Sequence, residues 1–418
     1  MWANKIDHWM QEHWDGALDW LTRYVQADST QGNERIAQKL VADKLNQLGL
    51  EVEVWELDGE QLKKHDFFYS PREVFHGSPN VVGRWKGCGG GRSILLNGHV
   101  DVVPVGDIGQ WAHAPFSGVV LDGKMYGRGV TDMKGGNLAS IYAIECLRDL
   151  GVQLKGDVVF HSVVEEESGG AGTLAALLAG YTADAAIIPE PTHMRIFPKQ
   201  QGSMWFRILI KGRSAHGGTR YKGISAIEKC IPVLAAIQEL ERKRNERVID
   251  PLYQNTPIPV PINIGMIQGG EWPSSVPDFV KLEGRMGVLP EERMESAKME
   301  MQAAIDQLSQ EDNWFKQNPL RLEWFGARWL PGSIDVEHSL MKYLRANYSA
   351  VMGSEPTIEA SPWGTDGGLL TQLGNIPTIV FGPGITEVAH FPNEYVELEK
   401  IKECSKIIAL TLMDWCGE

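Results

Sequence analysis

The chain has 418 residues, too many for one ordinary hydrophobic core, so two domains are expected. Its composition is that of a globular protein, 43% hydrophobic and 22% charged with no biased tract. A net charge of −14 argues against nucleic acid or an anionic membrane as partner, and suits a protein that gathers carboxylates around a cation.

The first stretch, MWANKIDHWMQEHWDG, mixes charge with Trp instead of forming a signal peptide, and no later run approaches membrane-spanning length. Five scattered cysteines (Cys88, Cys146, Cys230, Cys404, Cys416) with no CxxC read as reduced thiols, so a cytoplasmic protein is expected. Ile6, Trp9, Met10, Trp14, Leu18 and Leu21 recur at helical spacing. So do Ile36, Leu40, Val41, Leu45 and Leu48, with Gly49 as a stop signal. Short apolar strands follow at Ser93–Leu96, Val158–Val164 and Ala185–Ile188. Between the first two lie a hairpin turned by Asp122-Gly123 and a helix from about Met133 to Leu150, stopped by Gly151. Strands alternating with helices indicate an α/β layer with a buried sheet, whose ligand sites lie at the carboxyl ends of the strands.

After Gln200 the pattern changes. SMWFRILIK alternates strictly, Ile224–Leu240 is an amphipathic helix, and VPINIGMI and FVKLEGR are strands. Pro290 opens a helix to about Leu308, and LRLEW is a last strand. This β-α-β-β-α-β order is that of a ferredoxin-like unit. From about Val336 helix and strand alternate again, ending in IPTIVFGPG. The expected organisation is one α/β domain, residues 1–200 and 331–418, interrupted by an inserted α+β domain at 201–330.

Chemistry-bearing residues cluster at predicted strand ends. LLNGHVDVVP puts His99 and Asp101 on one face, where an imidazole can bind a metal while a carboxylate fixes its tautomer. YGRGVTDMKGG carries Asp132 at the start of a helix, and HSVVEEESGG ends a strand in Glu165, Glu166 and Glu167. IIPEPT places Glu190 after a fourth strand, and VAHFPNEY places His390 after the last one. Singly, each has a blander reading: a structural His-x-Asp, a helix cap at Asp132, a solvated loop acid, a surface histidine. Together they can converge on one sheet edge as a mixed N/O set suited to zinc, with cobalt or manganese as alternatives. The surplus of carboxylates points to two divalent ions per chain, whose charge would also relieve the repulsion among the three glutamates.

GHVDVVP, GRGVTDMKGG, EEESGG, PEPT, SAHGG and AHFPNEY, in this order, resemble the M20 metallopeptidase/deacylase family across nearly the whole chain. The resemblance implies a di-metal catalytic domain of mixed sheet and helices, with an inserted lid that mediates homodimerisation. It implies that His99, Asp132 and Glu190 hold one ion, that Asp132, Glu167 and His390 hold the other, and that Asp101 orients His99. Glu166 becomes the general base, and His216 of SAHGG the histidine that reaches a partner subunit's site to stabilise the oxyanion. The family's Asp-x-Arg pattern on the lid is absent: Gly287 stands for the Arg, with Arg285 two residues earlier on the same strand face. Arg285 is therefore either a substitute that grips a substrate carboxylate or an ordinary solvated arginine.

The reading that follows is hydrolysis of an N-acyl amino acid or N-acyl diamino acid, a small-molecule substrate. A deformylase or deacylase of a non-amino-acid amine is the alternative, and the missing Asp-x-Arg favours it. A carboxypeptidase or dipeptidase is a further alternative; in the family, Glu at the position of Glu190 tends to go with deacylases and carboxypeptidases, which argues against the dipeptidase. A catalytically silent metal-binding homologue would have no need of Glu166.

Overall fold

The computed structural model describes residues 2–417, which form two compact units. The first comprises residues 2–199, 332–359 and 366–417; the second comprises Gln200–Pro331 and Ala360–Thr365. The short return at 360–365 belongs to the second unit, whereas the sequence pattern alone assigns it to the first.

The first unit is built on a mixed sheet. At its centre four strands run parallel, in the order Val158–Val163, Ile94–His99, Ala186–Ile188 and Thr378–Val380. Every residue of these four strands is buried, as expected of parallel strands covered on both faces. Pro79–Trp85 adds antiparallel to Val158–Val163, and Glu51–Glu56 adds antiparallel at the edge. The helices Trp2–Gln26, Gly135–Asp149 and Leu398–Cys416 pack on one another, with Tyr142 Oη donating to the Met10 carbonyl at 2.7 Å. Gly135–Asp149 is apolar almost all round because neighbours enclose it. The strands Glu51–Glu56 and Pro79–Trp85 and the C-terminal helix Leu398–Cys416 add to the elements expected above.

The hairpin at Asp122-Gly123 is present, between Val119–Leu121 and Lys124–Tyr126. The helix expected from Met133 instead starts at Gly135, after an irregular turn over Val130–Lys134 in which Asp132 and Met133 are not helical. Asp132 therefore does not cap the helix; its side chain is engaged elsewhere. At Gly136 a Cβ would lie 1.8 Å from the Pro189 carbonyl oxygen, so glycine lets this helix start abut the segment carrying Glu190.

The second unit has a four-stranded antiparallel sheet ordered Ile262–Gly269, Phe279–Val288, Gly202–Lys211, Arg321–Trp329. In chain order this is second, third, first, fourth, which matches the ferredoxin-like expectation. Met204, Phe206, Ile208 and Ile210 alternate onto one face with Val280, Leu282, Met286 and Val288. The helices Ala226–Glu246 and Met294–Glu311 cover that face with Val233, Ile237, Met301 and Ile305. The second of these helices begins at Met294, four residues after Pro290. No helix among the described residues is long and apolar enough to cross a membrane.

Candidate metal centre

His99 is the last residue of its strand and its side chain is buried. Its Nδ1 lies 2.8 Å from the Asp101 carbonyl oxygen, and since a carbonyl can only accept, Nδ1 carries the proton. That leaves Nε2 facing Asp132 Oδ1 at 3.1 Å and Glu190 Oε1 at 3.6 Å. The expected contact of Asp101 with His99 thus runs through the main chain. The Asp101 carboxylate sits farther from Nδ1, at 3.6 Å, and accepts the backbone N–H groups of Glu166 at 3.3 Å and Glu167 at 3.1 Å. It orders the glutamate turn instead of only the imidazole.

That turn explains how three consecutive acids coexist. Glu165 adopts a left-handed backbone conformation (φ 66°) and points away from its neighbours. Its carboxylate accepts from Gln31 Nε2 at 2.9 Å, Ser70 Oγ at 2.7 Å and Arg72 Nη1 at 3.0 Å. Arg72 also holds Glu34 at 3.0 Å and Ser78 at 2.6 Å. Glu165 is therefore neutralised by a cation 93 positions away. Glu166 is buried, and burial, with Asp366 and Glu190 adding, raises its carboxyl well above the usual range. Glu167 turns toward His390, whose Nε2 is 3.2 Å from its carboxylate.

Asp132 stands between the two imidazoles: Oδ1 faces His99 at 3.1 Å and Oδ2 faces His390 at 3.3 Å. Burial disfavours its charge, but His390 and His99 outweigh this and hold it well below the ordinary carboxylate range. Desolvation also opposes charge on His390, yet Glu167 and Asp132 lift it to about 11. Burial raises Glu190, with Asp132 adding, and raises Asp101 to about 8 against the pull of His99. Potential ligand atoms of His99, Asp132 and Glu167, and of His99, Glu166 and Glu190, lie within 4.8 Å of one another. Buried carboxylates at such spacing raise one another's pKa, and a divalent cation is the charge that would keep them ionised. The donor set, imidazole nitrogen with carboxylate oxygen, fits zinc, cobalt or manganese. Glu166 lies within this cluster, beside His99 and Glu190.

His216 and Arg285 belong to the second unit. His216 ends a two-residue strand paired with Ser275–Val276; it is exposed, and its Nδ1 accepts from Gly218 N at 3.1 Å. Arg285 sits between Trp205 and Asn263 on neighbouring strands, and burial lowers its guanidinium to about 10. At Gly287 a Cβ would meet Gln201 Oε1 at 2.3 Å, so Gln201 occupies the space a side chain there would need.

Sequence reasoning missed several residues that hold the centre. Glu394, inside the AHFPNEY stretch, and Arg128, inside GRGVTD, form a buried ion pair at 2.7 Å behind Asp132. Their presence within two motif stretches was an available signal. Asp366, bonded to Thr173 Oγ1 at 2.6 Å, and Arg72 carried none.

The profile of peptidase family M20/M25/M40 matches residues 95–414. A Bacillus subtilis (strain 168) N-formyl-4-amino-5-aminomethyl-2-methylpyrimidine deformylase is 32% identical over 402 residues, 91% of this chain and 89% of that protein. Among solved structures, the dipeptidase Dug1p of Saccharomyces cerevisiae superposes with a TM-score of 0.77 at 17% identity, covering 100% of this chain and 99% of that one. A dinuclear metal-binding M20 peptidase of Bacillus subtilis gives 0.61 at 19% identity, covering 96% and 98%. At these identities the structural likenesses speak for the fold.

Proposed function

The chain belongs to peptidase family M20/M25/M40 and is a metal-dependent amidohydrolase of N-acyl amines, and from that premise we propose that it is a deformylase of an amine carried on a small heteroaromatic ring. The observation that carries the catalytic reading is the Asp132 carboxylate, one oxygen to each imidazole. His99, Asp132 and Glu190 would hold one ion, and Asp132, Glu167 and His390 the other, with zinc the proposed metal and cobalt or manganese as alternatives. A divalent pair held there supplies Lewis-acid chemistry, polarising the amide carbonyl and acidifying water.

The rest is the work of the chain. Glu166 takes a proton from the attacking water and returns it to the leaving nitrogen, so that an N-formyl amine and water become amine and formate. Asp101 holds the Glu166 and Glu167 N–H groups and so fixes the base beside its neighbouring ligand. His216, supplied by a partner subunit in a homodimer formed through the second unit, stabilises the developing oxyanion. Five free cysteines, four of them buried, support a reducing, cytoplasmic setting.

The similarity to the Bacillus subtilis deformylase supports the heteroaromatic formamide, as does Gln201 filling the space beside Gly287. A second reading, an N-acyl amino acid whose carboxylate meets Arg285, is supported by that guanidinium on the sheet of the second unit. Zinc- or cobalt-loaded protein should be assayed for free amine with N-formyl-4-amino-5-aminomethyl-2-methylpyrimidine, N-acetyl and N-succinyl amino acids, and dipeptides. The formamide should give the highest kcat/KM. Faster turnover of the amino-acid amides would replace the first reading with the second.

A further inference from the structure

Glu394 and Arg128 lie behind the metal centre, each about 1% exposed, and neither side chain is placed to touch a substrate or an ion. Glu394 Oε1 accepts from the backbone N–H of Thr131 at 2.9 Å and Asp132 at 3.2 Å. Its Oε2 accepts from Gly129 N at 3.0 Å and from Arg128 Nη1 at 2.7 Å. A carboxylate has about four acceptor positions, so this one is saturated. Three of its four donors are main-chain groups of the turn that carries Asp132.

Arg128 reaches the other way. Its Nη2 donates to the His390 carbonyl at 3.3 Å and to the Pro104 carbonyl at 3.4 Å, and its Nη1 to the Phe391 carbonyl at 3.4 Å. Its flat face lies 5.2 Å from the Trp111 ring centre. His390 has φ 64°, a left-handed conformation that a non-glycine residue keeps only where its surroundings hold it. The strand Tyr395–Glu397 pairs with Lys124–Tyr126, and Gly127 N donates to the Glu394 carbonyl at 3.0 Å, so the two loops leave the same short ladder side by side.

We infer that Arg128 and Glu394 form a positioning pair that sets Asp132 and His390 relative to each other, and thereby the affinity of the ion held by Asp132, Glu167 and His390. The inference rests on the two-ion reading above. A buried ion pair is weak evidence of a stabilising role, since apolar side chains of similar volume often serve stability as well. Apolar side chains here would strand three backbone N–H groups of a ligand-bearing turn and release the carbonyl of a ligand residue. The pair therefore acts on geometry. The other ion shares Asp132 and so feels the pair as well, but less, because its remaining ligands His99 and Glu190 sit on or just after core strands.

The test is a Co2+ titration of metal-free protein, followed by visible absorption and elemental analysis, on wild type, Arg128→Lys and Glu394→Gln. Lysine keeps the charge but loses the planar fork that spans both loops, and is the variant chosen to leave the fold intact. Wild type should take up two equivalents. Arg128→Lys should bind the first with little change and the second about ten- to one-hundredfold more weakly, with the larger spectral change on the second ion. Glu394→Gln should show the same selectivity, more strongly; should it fail to fold, Arg128→Lys decides. Wild-type affinity and spectrum for both equivalents in Arg128→Lys would overturn the inference. Equal weakening of both equivalents would overturn it too, since general loosening does not choose between halves. A wild-type protein that takes up one equivalent would overturn the two-ion reading, and this inference with it.

Discussion

The two halves of the proposed metal centre offer the same donor chemistry but are supported differently. The side chains of His99 and Glu190 are 1% and 4% exposed, whereas His390 is 51% and Glu167 13% exposed. The first pair stands at the ends of parallel core strands, Ile94–His99 and Ala186–Ile188. The second comes from a turn and a loop, with His390 ten positions beyond the strand Thr378–Val380. The sheet ladder holds one half, and side-chain hydrogen bonds from Asp101, Arg128 and Glu394 hold the other. Identical ligand types can therefore have unequal affinities, because a loop must be ordered before it can bind and that ordering costs conformational entropy.

The widest separation between the halves should come from removing one imidazole at a time. His99→Ala should abolish tight metal uptake and all turnover, because His99 faces both Asp132 and Glu190. His390→Ala should keep one tight ion. Elemental analysis after dialysis checks this, and equal loss from the two variants would erase the distinction between the halves.

In the proposed assignment Glu166 belongs to neither half, so its substitution should separate chemistry from binding. Glu166→Gln should retain both ions while turnover falls by about two to four orders of magnitude, the range for losing a general acid–base group. Steady-state kinetics beside metal analysis would detect the opposite pattern, metal loss with little loss of turnover per bound ion, which would make Glu166 a ligand.

Asp101 sharpens the comparison from behind. Asp101→Asn leaves the main-chain carbonyl that orients His99 but weakens the carboxylate that holds the Glu166–Glu167 turn. The affinity of the exposed half should fall by about ten- to one-hundredfold, with a smaller change in the buried half. Isothermal titration of metal-free protein would show it. A larger loss on the His99 side would mean that the carboxylate acts on the imidazole after all.

Arg285 lies in the second unit and should give the smallest effect. With the pyrimidine formamide, Arg285→Ala should change kcat/KM by no more than about 0.5 kcal/mol, as for substitutions away from critical contacts. With an N-acyl amino acid, a guanidinium that reads the carboxylate would raise the penalty to about 1–3 kcal/mol. Comparing the two substrates on one variant separates a carboxylate reader from a bystander.

Much of this protein is legible in the chain alone, for a local reason. Strict alternation in SMWFRILIK and the apolar run of Val158–Val163 declare strands, and a proposed ligand that ends a strand, as His99 does, or follows its end by two to four residues, as Glu190 and Glu167 do, lies at the sheet edge by adjacency. The donor types and the ferredoxin-like order of the second unit are similarly written in periodicity and spacing. The tertiary structure alone decided what answers the charge on Glu165, which oxygen of Asp101 meets His99, and what holds Asp132 to His390. Those partners sit 93 positions apart for Arg72 and Glu165, and 266 for Arg128 and Glu394. Loops with no repeating pattern bring them together, and a buried charge selects its partner by where the chain has folded, not by any spacing along it.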